Sequence, residues 1–300
     1  MGCVKMNVLG EEQIRIMNSS LVCDKLDELV IFQSSQAASL ANKHRIIGEF
    51  VEKLPGNDFY LIYNASRSRV IIVSAEPIEI NTECFSFQNV WDYDVVQVDA
   101  DDFVMPIQEF RNIKITGVTF IGDINGWFAQ CAFIESIIIE DSIFKTAEFA
   151  TCMCTDCYEL KRIEFKRCKA EGLTTLNNAF FGCRMLETAI LELDASVVQM
   201  KAAFQECEKL KSVDLSHLVK YVKSESDLNK DINIEGIFDD CTSLERLKMT
   251  RKIGDMKISY NCKRMLPYCQ NINGEPDTWV MCIPEEHSRE RMVPIEFTYI

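Results

Sequence analysis

Basic charge is scarce in this chain of 300 residues: 32 lysines and arginines stand against 46 aspartates and glutamates, a net charge of −14. Affinity for a phosphate backbone comes from Lys and Arg neutralising phosphates, so no nucleic-acid partner is expected. Long apolar runs are missing too. No stretch reaches the roughly 18 apolar residues of a spanning helix, so no membrane span is expected. Lys5, Glu11, Glu12 and Arg15 interrupt the apolar segment that a signal peptide needs. Met1-Gly2-Cys3 opens like a myristoylation site, but Met6 stands where Ser or Thr is wanted. Leu21-Val22-Cys23 echoes a lipoprotein cleavage site without its apolar approach. The expectation is an unexported, cytoplasmic chain.

Catalytic signatures are equally thin. The three histidines, His44, His217 and His287, lie near no nucleophile in a motif context. The phosphate-binding G-x-x-x-x-G-K-[ST], the dinucleotide G-x-G-x-x-G and the nucleophile elbow G-x-S-x-G are all absent. Asp99-Ala-Asp-Asp102 lacks the further ligands of a calcium loop and reads as a solvated turn. No catalytic residue, cofactor or metal is expected.

Cysteine is what the chain has in quantity, fourteen in all. In a reducing compartment these act as small buried hydrophobes, so their spacing carries the information. The pattern Phe-x-x-Cys-x-x-apolar-x-x-apolar-x-apolar recurs. It runs through Phe128, Cys131, Ile134, Ile137 and Ile139, then Cys154, Cys157, Leu160, Ile163 and Phe165. Three further copies begin at Phe180, Phe204 and Phe238 with cysteines at 183, 207 and 241. A degenerate copy (Val104, Ile107, Phe110, Ile113, Ile115) precedes them, and a failing one (Leu266, Cys269, Ile272) follows. Steps between copies are 24, 26, 26, 24, 34 and 28 residues.

The last three apolar positions, spaced three then two, predict a turn entering a short strand with alternate side chains inward. The Phe and Cys, three apart, predict a helical turn on the opposite side. One circuit cannot bury its own apolar face, so the circuits must stack into a solenoid with a column for each position.

Asn178–Leu186 and Ala195–Ser216 resemble the BspA-type leucine-rich repeats, the roughly 26-residue repeat of bacterial surface proteins and mycoplasma lipoproteins. The likeness covers residues 104–272. It implies an α/β repeat fold, a curved leucine-rich-repeat solenoid with a parallel β-sheet face, used in that family for adhesion and protein recognition. Surface exposure is implied by that family alone.

Residues 1–100 are expected to form an N-terminal α+β cap or small domain, 101–277 the solenoid, and 278–300 a β C-terminal cap. Apolar spacing from Leu26 to Leu54 predicts a helical stripe ended by Pro55-Gly56. Phe59–Tyr63 and Val70–Val73 predict a hairpin, and Val95–Val98 a further strand or worn repeat. Trp279–Ile283 and the alternation Val293, Ile295, Phe297, Tyr299 predict closing strands. The long 34-residue step places an insertion within 218–235, read as a solvated loop or as a contact element. Cys152, Cys154, Cys157 and Cys168 are read as core thiols, with a zinc site as the alternative.

The expected binding surface is the outward row of the strands: Ile138, Glu140, Arg162, Glu164, Lys166, Thr188, Ile190, Glu192, Asp214, Arg246 and Lys248. Ser136, Ser212, Ser216 and Thr250 belong to the same face. Two isoleucines among charges fit an apolar anchor ringed by polar groups. The expected function is non-enzymatic protein–protein recognition through this face. The alternative is a structural, assembly or surface-adhesion component without a discrete ligand.

Overall fold

The computed structural model describes residues 7–9, 25–55, 58–82, 109–220, 232–253 and the strand segments 256–257, 260–261, 269–271, 279–285 and 289–299. Val95–Val98, the Asp99–Asp102 turn, Val104, Ile107, residues 221–231 of the insertion, Leu266, Ile272 and His287 lie outside them, as do Met1–Cys3 and Cys23. The strands are β1 (Asn7–Leu9), β2 (Lys25–Gln33), β3 (Phe50–Lys53), β4 (Phe59–Tyr63), β5 (Arg69–Ser74), β6 (Ile78–Asn81) and β7 (Glu109–Thr116). They continue with β8 (Val118–Ile121), β9 (Ser136–Glu140), β10 (Ile143–Phe144), β11 (Arg162–Ala170), β12 (Thr188–Ala195), β13 (Ser212–Asp214) and β14 (Ile232–Asn233). The last are β15 (Arg246–Ile253), β16 (Met256–Lys257), β17 (Tyr260–Asn261), β18 (Cys269–Asn271), β19 (Trp279–Glu285) and β20 (Arg289–Tyr299). One α-helix, α1 (Ala37–Ile46), and one 3-10 turn, Ser216–Val219, are described.

The fold is mostly β, a curled sheet of mainly parallel strands with little helix. Its main ladder runs β5, β2, β7, β9, β11, β12, β13, β15, β20, every neighbour parallel. The register keeps like offsets side by side: Ile113, Ile137 and Ile163 align, as do Ala189, Val213 and Leu247. All five offsets of all five full copies are 5% exposed or less, in one continuous core. At roughly 1.5–3 kcal/mol per buried aliphatic side chain, each strand's inward residues gain that stability only when adjacent strands cover them.

The Phe–Cys segment is not helical. Its residues form paired turns whose backbone is left-handed at two positions four apart: Gly126 and Gln130, Cys152 and Asp156, Asn178 and Gly182, Ala202 and Glu206, Gly236 and Asp240. Left-handed geometry disfavours residues with a Cβ, yet seven of these ten carry a side chain. The offsetting term is pairing between circuits. Alternate amides reach across, Gly126 to Thr151, Phe128 to Met153 and Gln130 to Thr155, and the next circuits repeat this from Cys152, Cys154 and Asp156. A helix would turn those amides onto its own chain and leave the neighbouring carbonyls unpaired.

This geometry explains the cysteines. Each Phe-position carbonyl accepts the amide of its own circuit's Cys, as Phe128 O does from Cys131 N at 3.1 Å. Its second lone pair accepts the thiol of the following circuit: Cys157 Sγ to Phe128 O at 2.9 Å, Cys183 Sγ to Cys154 O at 3.0 Å. Cys207 to Phe180 O at 3.2 Å and Cys241 to Phe204 O at 2.9 Å complete the file. A small apolar residue with one weak donor is what this site requires. Beside the thiols, Phe180, Phe204 and Phe238 stack at 4.9 and 5.6 Å between ring centroids.

The N-terminal helical stripe is a correction. Leu26 and Leu29 lie in β2, and only Ala37–Ile46 is α-helical, packing Ala37 and Ala41 on the β4–β5 hairpin. The spacing of three between Leu26 and Leu29 arises because Asp27 and Glu28 both donate to Ser68 O, an irregularity that breaks the two-residue period. Leu26, Leu29 and Ile31 align with Phe110, Ile113 and Ile115. They repeat the three-then-two spacing, so residues 25–33 add a rung to the same sheet. At the other end β20 lies parallel on β15, with Ile295 beside Leu247 and Phe297 beside Met249. The β4–β5 hairpin is present with Phe59 opposite Ser74.

Candidate functional site

Residues between the inward positions form the outer face of the ladder, and strand pairing sets their order. The middle row runs Val30, Lys114, Ile138, Glu164 and Ile190, and, beyond β13's start, Asp214, Lys248 and Glu296. Cross-strand neighbours on one face are close enough to pair or repel.

Over β9 and β11 the charges are consumed internally. Lys114 pairs with Glu140 at 3.2 Å. Glu164, expected to be exposed, is only 1% accessible: it lies between Ile138 and Ile190 and beneath Arg162 and Lys166, each 2.7 Å away. Burial alone would raise its pKa, but the hydrogen bonds from Arg162 and Lys166 outweigh burial and hold the carboxyl below its ordinary value. Both isoleucines are half-buried and flank this ion-pair cluster. Thr188 stays exposed beside Arg162.

The face changes character one strand on. β13 is three residues long and meets β12 at the single register pair Ala189–Val213, because the chain turns at Leu215 into the 3-10 turn Ser216–Val219. That turn also ends the in–out alternation, so Ser216 and Thr250 are buried instead of outward. Ser216 Oγ donates to Asp214 Oδ1 at 2.5 Å, and Thr250 Oγ1 donates to Ser216 O at 3.0 Å.

Over this short strand lies an open groove of about 630 Å³. Ile190 and Glu192 form one wall, Ser212 and Asp214 the floor, Arg246, Lys248 and Glu296 the other wall, and His217 one end. Lys248 Nζ stands 3.0 Å from Asp214 Oδ2. Burial pushes the Asp214 carboxyl up, but the Ser216 hydroxyl and amide and Lys248 overcome this and leave it lowered. His217 Nδ1 lies 3.0 Å from Asp194, whose other oxygen takes Lys220 at 2.7 Å. Arg246, exposed, and Glu192, half-buried, form no ion pair with any described residue.

The groove therefore gathers Ile190, Glu192, Asp214, Arg246 and Lys248 from the expected surface. It leaves Ile138, Glu140, Arg162, Glu164, Lys166 and Thr188 outside. The chain matches no family model, no curated protein and no solved structure. The groove must be read from its own chemistry.

Two lining residues escaped the sequence reading. Glu296 carried a usable signal, since Met292, Ile295 and Phe297 repeat the three-then-two spacing that marks a ladder strand. His217 carried none, because its position depends on the 3-10 turn. The buried cysteines of the described residues are poor candidates for a reactive centre. Burial raises the thiols of Cys154, Cys157, Cys183, Cys207 and Cys241, and pushes Cys168 up to about 12. A thiol held protonated is a poor nucleophile and a poor metal ligand. Among the described residues no group of three His, Cys, Asp or Glu side chains could hold a metal, and no helix is long and apolar enough to cross a membrane.

Proposed function

We propose that the chain is a non-enzymatic recognition module of the leucine-rich-repeat type, its circuits stacked as a solenoid and its partner, a protein, seated on the outer sheet face over β12, β13 and β15. One contrast supports this reading. Glu140 on β9 pairs with Lys114, and Glu164 on β11 with Arg162 and Lys166, while the groove keeps an apolar wall at Ile190 with Arg246 and Glu192 in no ion pair with a described residue. A surface that binds needs polar groups not already satisfied within the chain and an apolar centre to exclude water.

Ile190→Thr with Arg246→Ala should abolish retention of a partner by the immobilised chain, while Ile138→Thr, on the same sheet outside the groove, should retain it. Threonine keeps strand preference and adds no charge beside Glu164, which an aspartate would. Equal capture by the unsubstituted chain and both folded variants, quantified by mass spectrometry, would count against the groove as the binding surface.

A further inference from the structure

Three charges line the groove without an ion pair to any described residue, Glu192, Arg246 and Glu296, and the first two sit at opposite corners. Arg246 begins β15 and is level with Ser212. Glu192 lies on β12, two strands away and four residues further along the strand direction, counted through the Ala189–Val213 pair. With strands about 4.8 Å apart and a rise of about 3.3 Å per residue, the corners are separated by roughly 16 Å. Ile190 stands between them on the β12 wall, and the Asp214–Lys248 pair fills the middle of the floor.

We propose that this groove takes an extended peptide segment of a partner protein, bearing a carboxylate side chain that meets Arg246 and, four or five residues away, a basic side chain that meets Glu192, with an aliphatic side chain between them against Ile190. An extended chain spans about 3.3–3.6 Å per residue, so a separation of four or five residues matches the diagonal. The guanidinium presents a planar fork that a carboxylate fits bidentately, and an exposed Arg reorients at little cost. A given segment satisfies both corners in only one of its two orientations, since turning it round would bring like charges together, so its charge order sets the direction in which it lies. Asp214 and Lys248 pair with each other, and Glu296 stands beside Lys248 at the outer edge, which leaves the β12 side of the middle to the aliphatic contact.

This inference rests on the recognition reading above, and its test separates the two. A random octapeptide phage library is panned against the purified full chain, then against Ile190→Thr and Arg246→Glu at matched folded concentration. The expected result is enrichment of sequences with Asp or Glu four or five positions from Lys or Arg and an aliphatic residue between. Ile190→Thr should reduce recovery at least tenfold. Arg246→Glu should lose those sequences and enrich ones with a basic residue at the acidic position. Enrichment that depends on Ile190 but is identical on Arg246→Glu would overturn the charge assignment while leaving the groove as a binding surface. Enrichment indifferent to both substitutions, or none at all over an unrelated bait, would overturn the groove itself.

Discussion

Phe204→Ala is the substitution whose effect follows most directly from the packing. The ring is 1% exposed and lies between Phe180 at 4.9 Å and Phe238 at 5.6 Å, both near-parallel to it. Truncating a buried Phe costs about 3–5 kcal/mol through lost transfer energy and the cavity left behind. Each aromatic neighbour adds roughly 0.5–1.5 kcal/mol beyond area. Cys207 N donates to the Phe204 carbonyl and Cys241 Sγ does so from the next circuit, so the backbone is pinned and collapse around the cavity is limited. The expected loss is therefore in the upper part of the range, about 4–5 kcal/mol, a large share of an ordinary domain's stability of about 5–15 kcal/mol. Urea unfolding followed by far-UV circular dichroism measures it. Phe133→Ala is the control: that ring is 42% exposed and should cost under about 1 kcal/mol. A loss at Phe204 below about 1.5 kcal/mol, or no larger than at Phe133, would refute a shared interior in which the rings support one another.

Other substitutions test other parts. Gly182→Ala should cost about 1–2 kcal/mol, chiefly because φ is +71°, with the Asp156 carboxylate 2.5 Å from the new Cβ swinging aside; Gly117→Ala, at φ +69° with nothing within 4 Å, should cost about the same. Both are read by thermal melting. The lowered pKa of Glu164 means the folded state favours its ionised form. Its contribution is present above the ordinary Glu value of about 4.3 and is lost as pH falls through the lower folded value. Glu164→Gln should therefore flatten the decline in melting temperature between about pH 5 and pH 3, and an unchanged decline would count against the buried cluster. Light scattering at high concentration should give a monomer, whereas an open-ended oligomer would favour an assembly role.

Sequence periodicity made the parallel ladder legible because inward positions repeat with fixed chemistry. Ile163, Ala189 and Val213 differ in size but share an offset, and the register aligns them. The same spacing at Leu26, Leu29 and Ile31 was hidden, because three-residue gaps fit a helix equally well and no Phe–Cys pair precedes them. The turn conformation was hidden for another reason. A Phe and Cys three apart fit a helical turn, and only the neighbouring circuit's carbonyls decide that amides alternate outward. On the outer face, alternation located the row but not its partners: whether Glu164 is free or roofed by Arg162 and Lys166 depends on side-chain reach across strands. The opening of the groove depends on where β13 stops, and nothing at Asp214-Leu215-Ser216 announces that end.

The most direct test of the stacked interior is thiol accessibility in the folded protein. Brief native-state alkylation with iodoacetamide, mapped peptide by peptide, should label Cys152, which is partly exposed, and spare Cys131, Cys154, Cys157, Cys183, Cys207 and Cys241 until the chain is unfolded. Native labelling of Cys157, Cys183 or Cys207 at a rate comparable to Cys152 would contradict a file of thiols sealed between successive circuits.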